Sequence, residues 1–209
     1  MTTQHDEQIV AEAARLAGDP TLPADVRLMQ LRELVGKDTR PRWRVTTTLD
    51  KFDGDWTTEQ IAAGEAAHAH RDRQVFYGNL LTIGGASALW ERLIGTGVTA
   101  FDSSNAYLGV GDSTTAAADT QTDLQAASNK TRKAATASHT DSTSSSGAKT
   151  ITFVATFGTS DANHRWREWG TFNASTSGRM LNRKVEDLDG GSAKTSAQSW
   201  QLTVTISLA

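Results

Sequence analysis

"SWQLTVTISLA", residues 199–209, decides the fold class. Trp200, Leu202, Val204, Ile206 and Leu208 fall on one side of an extended chain; Gln201, Thr203, Thr205 and Ser207 fall on the other. Side chains alternate across a strand, so this spacing predicts an antiparallel strand with one face on a core and one in water. Upstream, "KTITFVATFG" (149–158) repeats the pattern with Ile151, Phe153, Ala155 and Phe157 on one face. "AYLGVG" (106–111) and "TRKAATASH" (131–139) read as further short strands. "TDSTSSSGAK" (140–149) reads as a low-complexity hairpin loop, and "DSTTAAADTQTDLQAASNK" (112–130) as a polar, weakly structured connection.

The first half of the chain reads differently. Asp6 can cap a short helix with Ile9, Ala13, Leu16 and Ala17 on one face, and a second helix after Pro23 carries Val26, Met29, Leu31, Leu34 and Val35. "KDTRPRWRVTTTLDKFDGDW" (37–56) reads as an extended arm with at most one strand. Thr57 and Gln60 have capping-box spacing ahead of an Ala-rich helix, and Ala86–Ile94 is helical. The expected class is therefore α+β. A helical N-terminal region with an extended arm (1–55) and a helical linker region (56–98) precede an antiparallel β-sandwich or jelly-roll-like domain (99–209).

Composition narrows the function. The net charge of −3, with both signs spread along the chain, argues against a nucleic-acid binder with a broad basic surface. The absence of cysteine excludes disulfides and thiolate metal sites. No apolar run approaches the roughly 20 residues of a membrane helix, and the N-terminus lacks a signal-peptide core. These features predict a soluble protein made in a cytoplasm.

Candidate chemistry is thin. Glu65 and His68 stand three apart on an expected helix without a third metal ligand. "GVGDST" (109–114) lacks the lysine of a phosphate loop, and its glycines suit a tight turn or close backbone packing. Asp112, Asp119 and Asp123 match no EF-hand spacing. Glu168 and Asp187, a conceivable carboxylate pair for a hydrolase of wall sugars, stand at no diagnostic spacing. No nucleophile, base and orienter assemble, and no cofactor is expected.

Two aromatic and basic clusters remain as candidate partner contacts. One is Arg40, Arg42, Trp43 and Arg44 in the arm; the other is Trp166 and Trp169 within "ANHRWREWGTFNASTSGRMLNRKV" (162–185). Period-two alternation leaves both faces of the second stretch mixed. The bland reading, core rings beside solvated charges, is favoured over a stacked ligand site. A bulge near Gly170 would let Trp169 and Phe172 face the core together. Mixed faces also suit strands half covered by another subunit.

"NLLTIGGASALWERLIGTG" (79–97), "AYLGVGDSTTAAADTQTDLQ" (106–125), "VATFGTSDANHRWREWGTFNASTSGRMLNRKV" (154–185) and a closing "WQLTVTISL" (200–208) together resemble structural proteins of tailed-bacteriophage virions. The resemblance spans residues 76–208. It implies a virion component without enzymatic activity: a capsid decoration or minor capsid protein that forms homo-oligomers and binds the major capsid lattice through its N-terminal region. A neck, tail or fibre component contacting the host surface is the alternative.

Overall fold

A computed structural model of the protein describes Ala11, Glu12, Arg15 and residues 43–139 and 150–208. The chain divides into two units, Met1–Pro41 and Arg42–Ala209. In the first, Ala11, Glu12 and Arg15 are helical and Arg15 pairs with Glu12 at 2.7 Å. The rest of the two expected N-terminal helices, and the 140–149 loop, lie outside the described residues.

The second unit is built of antiparallel strands. In chain order these are β1 (Trp43–Asp53), β2 (His70–Tyr77), β3 (Leu80–Leu81), β4 (Tyr107–Gly111), β5 (Lys130–Ala134), β6 (Thr136–His139), β7 (Thr150–Phe157), β8 (Glu168–Phe172), β9 (Met180–Val185) and β10 (Gln198–Leu208). Two short helices, α1 (Thr58–Ala62) and α2 (Ile83–Leu93), interrupt them. One sheet has the order β2-β1-β10-β7-β6 and the other β3-β9-β8-β4-β5. The chain changes sheet at Ala135, a buried residue between β5 and β6.

This overturns the α+β expectation of a helical N-terminal region and arm ahead of a separate β-domain. Strands dominate the described residues. The expected arm is β1, which pairs with β10 along its whole length, from Trp43↔Leu208 to Asp53↔Gln198. Much of the expected Ala-rich helix is one turn of α1, a 3-10 turn at Ala67–Ala69 and the edge strand β2. The Thr57–Gln60 capping box does form, but Gly64 follows with φ of 80° and ends the helix.

The alternating stretches at 149–158 and 199–209 give β7 and β10, whereas 131–139, read as one strand, divides into β5 and β6 in different sheets, and Leu208 at the end of β10 is exposed. Trp200, Leu202, Val204 and Ile206 of β10 and Phe153, Ala155 and Phe157 of β7 are buried in one cluster with Val45 and Leu49 of β1. Leu108 and Val110 of β4, Trp169 of β8 and Leu181 of β9 enter the same cluster from the other sheet. The two sheets thus share one core, an arrangement compatible with a β-sandwich. Each large apolar side chain enclosed there contributes about 1.5–3 kcal/mol.

The outer face of the second sheet is covered too. All five residues of β8 are buried. Trp169 faces the shared core, whereas Phe172 sits in a smaller cluster with Leu124 and Met180. The expectation that Trp169 and Phe172 point the same way is therefore corrected: the register irregularity falls at Thr171/Phe172, and each ring has its own core. The 112–129 connection supplies the outer cover through the buried Leu124 and Ala126.

Candidate functional site

A single buried ion pair fastens that cover to β8 and β9. Glu168 and Arg183 are both fully buried, with Arg183 Nη2 2.7 Å from Glu168 Oε2. The Glu168 carboxylate also accepts the backbone N–H groups of Gln125 (2.9 Å) and Ala126 (2.7 Å). Arg183 donates onward to Gln121 Oε1 (2.8 Å) and to the carbonyl of Thr115 (2.9 Å). Two charges are affordable inside a protein when each is paired and its remaining hydrogen-bond capacity is met, as here. Gly111 makes room for the carboxylate: a Cβ there would lie 2.5 Å from Glu168 Oε1. A Cβ on Gly109 would meet the Phe172 ring at 2.7 Å, so the glycines of "GVGDST" permit close packing.

The aromatic candidates separate. Trp166 and Trp169 are wholly enclosed. Trp166 donates to the Ala162 carbonyl (3.0 Å) and stands edge-on to Phe157 and Trp200; Trp169 donates to Thr47 Oγ1 (3.1 Å) and stands edge-on to Phe76. Neither ring is presented to a partner. Trp43 is half-buried at the start of β1, and its indole N–H has no hydrogen-bond partner among the described residues. Arg44 is exposed; Arg40 and Arg42 lie outside the described residues.

Several of the candidate chemical groups have structural partners. His68 stands edge-on to Trp56, and His70 contacts Asp50 at 2.8 Å. Asp123 binds Lys130 and Arg132, and Asp112 accepts from Asn129. Glu168 is committed to the buried pair and Asp187 to Arg167 (2.8 Å). No group of three or more metal-ligating side chains is found among the described residues, and no described helix is long and apolar enough to cross a membrane.

Among the described residues of this unit, α2 presents large apolar side chains to solvent. Thr82 caps it, accepting from the Gly85 N–H (2.9 Å) while donating to the Met180 carbonyl. The helix lies directly on β9, because a Cβ on Gly85 would sit 2.3 Å from the Leu181 carbonyl oxygen. Gly85 and Ala88 face inward, which turns Trp90, Leu93 and Ile94 outward at 66 %, 74 % and 75 % exposure. Ile83 and, in part, Leu89 extend the apolar face. Leu89 also lines an apolar groove of about 260 Å³ together with Trp43, Phe101, Ile151, Leu181 and Leu208. Sequence reading missed this face, although its signal is present. Ile83, Trp90 and Ile94 recur at i, i+7 and i+11, opposite the small Gly85 and Ala88.

No family model, curated protein or solved structure matches the chain.

Proposed function

We propose that the chain is a non-enzymatic structural subunit of a tailed-bacteriophage virion, a capsid decoration or minor capsid protein. The motif resemblance supplies the virion part of this reading. The observation that carries the structural role is the exposed apolar face of α2 and the groove beside it. A large aromatic and two aliphatic side chains mostly in water, contiguous with an apolar groove, mark a surface that another protein covers. The occupant is a virion protein, the major capsid protein or a neighbouring copy of this chain. The lattice contact expected in the N-terminal region is thus joined by one on the strand-built unit. The commitment of Glu168, Asp187, His68 and His70 to structural contacts supports a role without catalysis.

The test is quantitative mass spectrometry of purified virions of the phage encoding the chain. The decoration reading predicts on the order of hundreds of copies per particle, as symmetric shells require. A handful of copies would shift the assignment to neck, tail or fibre, and absence from particles would overturn the proposal.

A further inference from the structure

Lys194 precedes β10 and is almost completely buried. Its three hydrogen bonds among the described residues all go to uncharged oxygens: Gly158 O (2.6 Å), Asn163 Oδ1 (2.9 Å) and Thr195 O (3.4 Å). A buried lysine is ordinarily held by a carboxylate, and here the group fixed against the amine is a carboxamide.

The carboxamide is held on its other side. Asn163 Nδ2 donates to the Thr159 carbonyl (2.8 Å), so the amide oxygen is directed at Lys194 and the amide nitrogen away from it. The two backbones are already joined by Lys194 N–H to the His164 carbonyl (3.1 Å) and by a bridge between Arg165 and Ala193. Ala162, buried and with φ of 49°, takes the left-handed conformation that brings Asn163 round. A covalent bond between these side chains would need little backbone movement.

We propose that Lys194 and Asn163 form an intramolecular isopeptide bond in the folded protein. Lys194 Nζ attacks Asn163 Cγ. The Nζ–Cγ bond forms, the Cγ–Nδ2 bond breaks, and Nδ2 departs as ammonia. Starting from the lysine ammonium, the products are a secondary amide and an ammonium ion, so charge and protons balance and no oxidant is needed. Burial pushes the Lys194 amine down to about 8, against the upward pull of Asp161 and Asp55, which supplies the neutral nucleophile near neutral pH. The proton of the attacking nitrogen passes to the leaving one through solvent at the exposed Asn163, while the Asp161 carboxylate, which accepts from Lys133 Nζ (2.5 Å) and the Gly158 N–H (2.9 Å), acts on the amine through its charge. The link would tie the turn after β7 to the entry of β10, closing a loop across the shared core.

The experiment is intact-mass and peptide-mapping mass spectrometry of the folded chain, held at pH 8 and then denatured. The expected result is a mass about 17 Da below that of the sequence and a branched peptide joining positions 163 and 194. Lys194→Arg and Asn163→Ser should each retain their full sequence masses. A wild-type chain at full mass with no branched peptide overturns the proposal. So does a deficit that persists in Lys194→Arg, which identifies a succinimide at Asn163–His164 instead. Peptide mapping of the wild type decides the question even where a variant fails to fold.

Discussion

The Trp166–Trp169 region and α2 carry similar side chains and meet opposite fates. Around Trp166 and Trp169 the chain is dense in charge, yet both rings vanish into the core and Glu168 between them is enclosed with Arg183. On α2, Trp90 also stands beside charged residues, Glu91 and Arg92, and its ring remains in water. The difference lies in what each backbone is pressed against. β8 has a sheet on one side and the pinned 112–129 connection on the other, so no side chain on it can reach solvent. α2 is seated on β9 at Gly85, with Ala88 also buried, and its large residues are left outward. Local composition does not tell a core tryptophan from an exposed one; the number of covered faces does.

The comparison breaks first at the buried pair. Replacing Arg183 by Met leaves Glu168 charged and enclosed, so unfolding stability should fall by about 3–5 kcal/mol in chemical denaturation. A loss under 1 kcal/mol, on the order of an exposed pair, would show that the 112–129 connection is not fastened this way. Next comes the seat of α2. Gly85→Ala drives a methyl against the β9 backbone and should cost about 1–3 kcal/mol, read as a lower thermal midpoint.

A smaller effect tests the rim of the same connection by pH. Burial pulls the Asp123 carboxyl upward, but the hydrogen bonds from Lys130 and Arg132 outweigh it and hold it below 3.8. The stabilisation is therefore present above pH 3.8 and is lost as pH falls through the lower folded-state value. Asp123→Asn should destabilise the protein at neutral pH by less than about 1 kcal/mol, since the pair is partly exposed. The deficit should vanish in acid; a deficit that is constant with pH would remove the ion pair from the account. Smallest of all, Leu93→Asp on the outer face of α2 should leave stability within about 0.5 kcal/mol of wild type.

Legibility in the sequence followed coverage. β7 and β10 have the shared core on one face and polar residues on the other, so period-two alternation found them. β1 defeated that reading because Thr47 points inward to accept from Trp169, while Asp50 is buried against His70 and Arg73. β2 is an edge strand whose charged residues read as a helix surface. β8 and β9 lose alternation because both faces are covered. Of the candidate contacts, the described Trp43 lines the apolar groove, whereas Trp166 and Trp169 are core. The Lys194–Asn163 pairing had no sequence signal, because the two residues meet only when the turn after β7 folds onto the approach to β10.

The central claim, that α2 is an assembly surface while the 162–185 tryptophans are not, is tested most directly by hydroxyl-radical footprinting of the free chain and of intact virions. Trp90 should be oxidised readily in the free chain and protected in particles, with Trp166 and Trp169 protected in both. Trp90 equally reactive in both states, or Trp166 and Trp169 reactive in the free chain, would contradict the account.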